Sequence, residues 1–286
     1  MKFTSNLLKT LVAEYTAQLQ KIYPVDEAKS LIYWLTEAFF GVNRLQLAMH
    51  PETRLNESEM LKLLFAVKEL KQHKPVQYVV GEMTFSGLRI KVSPEVLIPR
   101  QETEQLVQWI AESEINHVSG ILDVCTGSGC IALALKNMLS QADVMGYDFS
   151  DQAVTKAKEN AALNNLEVSF FVESVFTSSI EGLPLFDVVV SNPPYVLESE
   201  KEMMRPNVLN FEPHEALFVS DDQPLLFYES ILKQSVTYLR KGGRIYFEIN
   251  EAMGEEMVHL LRVFGFTEIE VKNDLNGKPR MVRAVR

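Results

Sequence analysis

The sequence predicts an α/β protein in which a small helical bundle precedes a sheet covered by helices on both faces. Two observations carry this prediction. Residues 1–74 show only helical periodicity, and from residue 121 onward short apolar runs alternate with helical stretches. Nearly continuous apolar strands that alternate with helices are typical of a doubly wound, mainly parallel sheet. At 286 residues the chain exceeds the usual domain of roughly 100–200 residues, so a large and a small domain are expected.

The helical bundle is predicted to contain three helices. Apolar residues recur at helical spacing from Leu7 to Ile22, and again from Leu31 to a stop at Gly41. The third helix is predicted to begin after Asn56, because Glu59 follows it at the spacing of a capping box.

A linker is predicted between the bundle and the sheet. Residues 77–92, QYVVGEMTFSGLRIKV, contain β-prone residues interrupted by Gly81 and Gly87, a pattern that predicts a hairpin. A helix is expected to begin near Glu102. We therefore divide the chain into a helical domain (1–74), a β-hairpin linker (75–100) and an α/β domain (101–286).

Strands and helices alternate through the α/β domain. Strands are predicted at 121–124, 143–148, 168–172, 186–191, 243–250, 267–273 and 280–285, and helices at 130–140, 151–164, 224–240 and 251–264. Between Ser191 and Pro224 more than thirty residues lack clear periodicity, and loops of that length are usually functional or disordered. This loop follows a strand end, where open α/β sheets bind ligands.

Composition and charge exclude several functional classes. No apolar run approaches the roughly 20 residues of a membrane span, and a cytoplasmic protein is expected. Neither the two cysteines nor the scattered histidines have metal-site spacing, so no metal is expected. Residues 1–75 carry 10 Lys and Arg against 8 Asp and Glu, leaving 18 against 30 in the rest. An acidic body of this kind disfavours DNA or long RNA as a substrate.

A glycine-rich turn predicts a nucleoside-type cofactor. The segment LDVCTGSGCIALAL, residues 122–135, places a strand, a turn and a helix in immediate succession. Gly127 permits a tight turn, and the helix that begins near Gly129 offers free amide groups to a ligand. Asp148 ends the next strand, where a carboxylate accepts hydrogen bonds from ribose hydroxyls. A nicotinamide cofactor fits less well, because Ala132 stands where the dinucleotide fingerprint has its third glycine.

The motif DVCTGSG, residues 123–129, resembles the first motif of class I methyltransferases. This resemblance implies a Rossmann-like domain with a mixed seven-stranded sheet, and S-adenosylmethionine as the cofactor. The implied cofactor-binding residues are Asp123, Cys125, Thr126, Gly127, Ser128, Gly129, Asp148, Ser174, Val175 and Asn192, with Phe176 as a further possibility. Many members carry an acid at the position of Ser174, so its absence favours apolar packing of the adenine ring.

A second motif, Asn192-Pro193-Pro194-Tyr195, follows the strand at 186–191. The two prolines stiffen the loop. The Asn192 side-chain oxygen and the Pro193 carbonyl can then accept the two N–H groups of a planar NH₂ and direct its lone pair at the sulfonium methyl. Tyr195 is expected to stack on the planar group. We therefore predict Asn192, Pro193 and Tyr195 as catalytic and all four residues as substrate-binding.

Longer segments resemble one methyltransferase family over nearly the whole chain. They are PVQYVVGEMTFSGLRIKV (75–92), LIPRQETEQLV (97–107) and NFEPHEAL (210–217), which are similar to segments of the release factor glutamine methyltransferase family. Two departures are Gln101, where proline is usual, and Cys125, where glycine is usual. In the family Arg100 and Glu102 lie near the cofactor, so both are possible site residues; a surface salt bridge is an equally good interpretation.

That resemblance implies methyl transfer from S-adenosylmethionine to the side-chain amide nitrogen, N5, of the glutamine in the Gly-Gly-Gln motif of peptide-chain release factors, which supports translation termination. It also implies that the helical domain recognises the substrate and that residues 101–286 are catalytic. A monomer with a protein partner, and without direct contact to membrane or nucleic acid, is expected.

Three alternatives remain open. The Asn-Pro-Pro-Tyr motif also occurs in enzymes that methylate adenine N6 or guanine N2, which would capture a base in the same pocket. The chain could instead be a binding module without activity that uses the long loop as an interface. A nicotinamide oxidoreductase is the third alternative, although nothing in the sequence proposes a hydride acceptor.

Overall fold

The computed structural model describes residues 5–115, 118–176 and 182–286. They form two compact units. The first comprises the chain up to Glu82 together with Arg205–Phe211, and the second comprises Met83–Met204 together with Glu212–Arg286. A short piece of the long loop thus belongs to the first unit, which sequence periodicity does not reveal.

The first unit is helical. Its helices are α1 (Leu8–Leu19), α2 (Val25–Phe40), α3 (Arg44–Met49), α4 (Glu57–Leu70) and α5 (Val76–Val80). The capping box of α4 is confirmed, because the Asn56 side chain accepts the Glu59 amide and the Glu59 carboxylate accepts the Asn56 amide. Gly41 ends α2 with a φ of +67°, as predicted. Leucine and isoleucine side chains from α1, α2 and α4 form one buried core.

Two elements of this region differ from the prediction. Helix α3 begins with a second capping box, between Asn43 and Gln46, in a stretch too short to show periodicity. The segment QYVV is helical and lies in α5, not in a strand. Pro75 precedes the helix with a compatible φ, and Gly81 ends it at φ +86°, so turn chemistry outweighs the β-propensity of the valines.

The hairpin is correspondingly shorter than predicted. Strands β1 (Glu82–Phe85) and β2 (Leu88–Lys91) are joined by Ser86 and Gly87, both at positive φ. Such two-residue turns match the twist of a hairpin. The Asn160 side chain holds strand β2 in place. Its oxygen accepts the Lys91 amide, and its nitrogen donates to the Lys91 carbonyl.

The second unit contains a mixed seven-stranded sheet, as predicted. Its strands are β3 (Gly120–Val124), β4 (Asp143–Asp148), β5 (Ser169–Val172), β6 (Phe186–Ser191), β9 (Leu239–Glu248), β10 (Thr267–Asn273) and β11 (Pro279–Val285). The order is β10-β11-β9-β6-β3-β4-β5. Strand β11 runs antiparallel to both its neighbours, while β9, β6, β3, β4 and β5 are parallel.

Helices cover both faces of this sheet. They are α6 (Gln101–Glu114), α7 (Cys130–Met138), α8 (Asp151–Asn164), α10 (Leu226–Tyr238) and α11 (Gly254–Val263). Adjacent residues of a strand point to opposite faces. Accordingly Tyr246 of β9 packs on Trp109 of α6, and Phe247 packs on Tyr228 of α10. The strand residues Val188, Val189 and Val190 are all fully buried, as doubly covered strands require.

The long loop after β6 has more local structure than its sequence indicates. It contains β7 (Val196–Leu197) paired in parallel with β8 (Phe218–Val219), 3-10 helices at Glu198–Met203 and His214–Ala216, and α9 (Pro206–Leu209). Elements of two to six residues are shorter than the windows from which periodicity is recognised. None of the helices in the described ranges is long and apolar enough to cross a membrane.

Candidate active site

The carboxyl ends of β3, β4 and β6 bring the two sequence motifs to one edge of the sheet. The Ser191 hydroxyl, at the end of β6, donates to the Val124 carbonyl at 2.6 Å. The Thr126 amide, in the glycine turn, donates to the Tyr147 carbonyl of β4 at 3.0 Å. These bonds fix the glycine turn beside the Asn192 loop, at the sheet edge where α/β proteins bind ligands.

A cleft opens at this edge. Counting the open space at its mouth, it encloses about 770 Å³. The predicted site residues that line it are Arg100, Cys125, Thr126, Gly127, Ser128, Asp148, Asn192 and Pro194. Other predicted site residues in the described part of the chain do not line it, among them Glu102, Asp123, Gly129, Pro193 and Tyr195.

Asp123 lies buried behind the glycine turn. Its Oδ2 accepts the Thr126 hydroxyl at 2.5 Å and the Ala132 amide at 3.2 Å. Its Oδ1 is buried and has no hydrogen-bond partner among the described residues. Burial raises the pKa of the Asp123 carboxyl from 3.8 to about 7. Asp123 thus fixes the glycine turn from behind and places a buried acidic group next to the cleft without lining it. Of the first amides of α7, that of Ala132 is already used by this carboxyl and is not free for a ligand.

The turn itself is built from left-handed residues. Cys125, Gly127 and Gly129 have φ values of +60°, +54° and +79°. A Cβ at Gly129 would lie 3.0 Å from Ala157 Cβ and Phe170 Cζ, so packing also demands glycine there. Cys125 adopts a φ that is uncommon for residues with a side chain. This conformation gives a physical reason why glycine is usual at that position in the family.

Asp148 lies where the cleft meets a second cavity. Its Oδ2 accepts the Gly127 amide at 2.9 Å, and its Oδ1 accepts the Ser150 amide at 3.0 Å. Burial raises the pKa of this carboxyl. Each oxygen retains a lone pair, because a carboxylate offers about four acceptor sites. Asp148 can therefore accept ribose hydroxyls while it fixes the glycine turn.

The second cavity has the chemistry of an adenine site. Ser174, Val175 and Phe176 all line it, together with the aromatic residues Phe149 and Phe227. The Ser174 hydroxyl accepts the Phe176 amide at 3.2 Å. Sequence reasoning missed Phe149, which is 54% exposed, and Phe227. An aromatic residue directly after the strand-end acid was the available indication for Phe149. Apolar packing of a planar ring fits this lining.

The second motif is held by two residues that sequence reasoning missed. Asn192 Nδ2 donates to Thr103 Oγ1 at 3.3 Å, and the Thr103 hydroxyl donates to Glu248 Oε2 at 2.7 Å. The Tyr195 hydroxyl donates to Glu248 Oε1 at 2.8 Å. Burial raises the pKa of Tyr195 well above its ordinary value, so the phenol stays a donor. The Tyr195 hydroxyl is thus directed to Glu248, whereas the prediction places its ring against the substrate.

Arg100 has a buried partner. Its Nη2 lies 2.6 Å from Glu212 Oε1, and the Glu212 side chain is 1% exposed. Glu212 Oε2 also accepts the Ile98 amide at 3.1 Å. Since Pro213, the next residue, lines the cleft, this ion pair fastens the long loop at the cofactor side. A simple surface salt bridge therefore does not describe Arg100.

These residues fit S-adenosylmethionine. The apolar cavity at Val175 suits an adenine, and Asp148 suits the ribose hydroxyls. The buried acidic group of Asp123, directly behind the turn, favours a ligand that carries positive charge. Asn192 lines the cleft on the side of the second motif.

Comparison with solved structures supports this fold. The hMettl16 catalytic domain in complex with MAT2A 3'UTR hairpin 1 has a TM-score of 0.59 and 17% identity, over 89% of this chain and 90% of that one. A methyltransferase from Pyrococcus furiosus has a TM-score of 0.53 and 14% identity, over 80% and 98%. Residues 101–210 match the family model Methyltransferase small domain. Fold and site together define a class I, S-adenosylmethionine-dependent methyltransferase.

Two curated relatives, from Flavobacterium psychrophilum and Bacteroides thetaiotaomicron, are named release factor glutamine methyltransferase; each is 38% identical to this chain. The chain belongs to the release factor glutamine methyltransferase family. The first alignment covers 97% of this chain and 98% of the relative, and the second covers 98% and 100%. Residues 10–81 match the family model PrmC N-terminal domain.

Proposed function

We propose that this enzyme methylates the N5 side-chain amide of the glutamine in the Gly-Gly-Gln motif of peptide-chain release factors. One observation carries the proposal beyond family membership. The nitrogen of the Asn192 side chain is engaged by Thr103, which leaves its oxygen as the acceptor for a substrate in the cleft that Asn192 lines. An acceptor oxygen is what a planar NH₂ group requires.

The task of the site is to make an amide nitrogen nucleophilic. Such a nitrogen reacts poorly because its lone pair is delocalised into the carbonyl. Asn192 Oδ1 and the Pro193 carbonyl each accept one N–H of the substrate, which fixes the group and directs its lone pair along one axis. S-adenosylmethionine, when bound, supplies the electrophilic sulfonium methyl.

The transfer balances without a redox partner. The nitrogen–carbon bond forms as the carbon–sulfur bond breaks, and the sulfur retains the electron pair as a neutral thioether. The substrate nitrogen then releases one proton. Positioning supplies much of the acceleration, since well-oriented reactants can gain about 7–11 kcal/mol over free encounter.

We also propose that the helical domain, residues 1–74, recognises the release factor. Two properties support this role. It has its own hydrophobic core, and it carries 10 Lys and Arg against 8 Asp and Glu, whereas the remainder of the chain is strongly acidic. That the enzyme acts as a monomer in the cytoplasm, without contact to nucleic acid, stays a prediction.

Labelled methyl transfer tests the proposed substrate. The enzyme is incubated with S-adenosylmethionine carrying a labelled methyl group and a purified release factor, its Gly-Gly-Gln Gln→Ala variant, or RNA. We expect label in the unmodified release factor alone. Asn192→Ala should reduce turnover about a hundredfold, the loss typical of one misplaced positioning group, with little change in cofactor affinity. Equal labelling of the Gln→Ala variant, or labelling of RNA alone, contradicts the proposal.

A further inference from the structure

Asn192 can hold its oxygen toward the substrate only if the orientation of its side-chain amide is fixed. Oxygen and nitrogen of an asparagine amide are similar in size, so rotation by 180° costs little unless neighbouring groups distinguish them. In the rotated state a substrate N–H would meet another N–H. The contacts on the protein side of Asn192 therefore decide whether the site works.

Thr103 and Glu248 supply that distinction. Thr103 is 2% exposed and Glu248 is 1% exposed, so water is largely kept from both. Glu248 Oε2 lies 2.7 Å from Thr103 Oγ1 and, as a carboxylate, can only accept. The single hydroxyl proton of Thr103 is thus committed to Glu248, and its oxygen can only accept from Asn192.

Glu248 is itself fixed as an acceptor from the other side. Its Oε1 receives the Tyr195 hydroxyl at 2.8 Å, so both carboxylate oxygens face donors. Burial raises the pKa of the Glu248 carboxyl, whereas the hydroxyls of Thr103 and Tyr195 that donate to it, and the charge of Arg280, favour its carboxylate form. The direction of donation thus runs from Asn192 to Thr103 to Glu248, and Tyr195 closes the network.

We propose that Thr103 and Glu248 are positioning residues that set the orientation of the Asn192 amide for methyl transfer. This inference rests on the proposed function, because it assigns the orientation a role in binding the substrate NH₂. Tyr195 of the second motif then serves by holding Glu248, which gives its hydroxyl a role separate from substrate stacking.

The test removes and restores the Thr103 hydroxyl. Thr103→Val should lower kcat for methyl transfer about tenfold to a hundredfold, because Asn192 loses its fixed orientation. The Kd for S-adenosylmethionine, measured by calorimetry, should change less than about threefold. Thr103→Ser keeps the hydroxyl and should remain within about threefold of wild type. Thr36→Val, which removes a buried hydroxyl bonded to the Tyr33 carbonyl in the helical unit, is the matched control and should match wild type.

A double-mutant cycle tests whether Glu248 acts through Thr103. Glu248→Gln should reduce kcat in the wild-type background but add less than about twofold to Thr103→Val, because the path it uses is already broken. If the kcat losses of the two single variants multiply fully in the double variant, Glu248 does not act through Thr103. Wild-type turnover in Thr103→Val, or equal loss of turnover in Thr103→Ser, would also overturn the proposal.

A readout without substrate separates this inference from the proposed function. In enzyme labelled with ¹⁵N-asparagine, the Asn192 NH₂ should exchange slowly in wild type and Thr103→Ser, and at least tenfold faster in Thr103→Val. Equal exchange in all three overturns the positioning role even when the release factor is methylated. Protected exchange in wild type with no labelling of the release factor would instead contradict the proposed substrate.

Discussion

Asp123 shows at the scale of one residue how the glycine turn is held from behind. Its carboxyl is fully buried, caps α7 through the Ala132 amide, and leaves Oδ1 without a partner in the described ranges. Because burial disfavours the charged form, its pKa is raised to about 7. The folded protein therefore carries a free-energy cost above that pH, and positive charge on a ligand in the neighbouring cleft would reduce it.

Asp123→Asn should remove this pH-dependent cost. In the unfolded chain an aspartate releases its proton near pH 4, whereas the folded protein retains it until about pH 7. Stability of the wild type thus falls as pH rises through this window, and asparagine cannot ionise. From pH 5 to pH 8 the variant should gain about 2–3 kcal/mol in unfolding free energy relative to wild type. Urea denaturation of both proteins without cofactor measures this difference.

The same variant should bind S-adenosylmethionine more weakly, because it removes a negative charge from directly behind the turn that lines the cleft, and the cofactor carries cationic groups. Other ionisable groups are common to both proteins, so the difference between their stability curves isolates this one. A difference that stays constant between pH 5 and pH 8 would show that Asp123 is ionised at its ordinary pKa.

At the scale of elements, β4 supports the glycine turn from behind. Gly146 pairs with Asp123 of β3 and with Phe170 of β5. A Cβ at Gly146 would lie 2.9 Å from Thr126 Oγ1 and 2.9 Å from Phe170 Cε1. Real side chains do not approach so closely, so the absence of a side chain in the middle of β4 lets Thr126 reach Asp123.

Gly146→Ala should therefore disturb both stability and cofactor binding. The added methyl group must displace Thr126 or Phe170, and overpacking of this kind typically costs about 1–3 kcal/mol. Thermal unfolding and calorimetry with S-adenosylmethionine measure the two effects. Gly254→Ala is the control, since its Cβ would meet only Pro279 at an ordinary 3.5 Å. If Gly146→Ala bound the cofactor as wild type does, the support from β4 would be unnecessary.

The whole molecule consists of two units with separate cores. The first has a cluster of buried leucines and isoleucines from its helices, while the core of the second surrounds the strands of its sheet. The described residues that line the cofactor cleft all belong to the second unit. Cofactor binding should therefore stabilise the second unit directly.

Hydrogen exchange should reveal this division. With S-adenosylmethionine at a hundred times its Kd, the state that binds it gains about 2.7 kcal/mol. Amides of β3, α7, β4 and α8 should exchange more slowly, whereas those of α1, α2 and α4 should be unchanged. Mass spectrometry of peptides with and without cofactor measures both sets. Equal protection throughout the chain would mean that the two units unfold together.

The sequence by itself determined the order of elements and the two motifs of the site. Strand runs such as 143–148, 186–191 and 267–273 match the structure residue for residue. The run 186–191 is recognisable because a buried strand requires nearly continuous apolar residues, and 267–273 because an exposed edge strand alternates polar with apolar residues. The turn at Gly127 and the motif at Asn192 were identifiable because backbone conformation and local stiffness are encoded within a few residues.

Only the tertiary structure decided which groups complete the site. Thr103, Glu212 and Glu248 lie far apart in sequence, and each is paired across 89 to 145 positions with Asn192, Arg100 or Thr103. A buried hydrogen bond between distant residues leaves no periodicity and no local turn signature. Such partners meet only when β6, β9 and α6 pack against one another. The role of the Asn192 oxygen could therefore be predicted from the sequence, whereas the side chains that orient it could not.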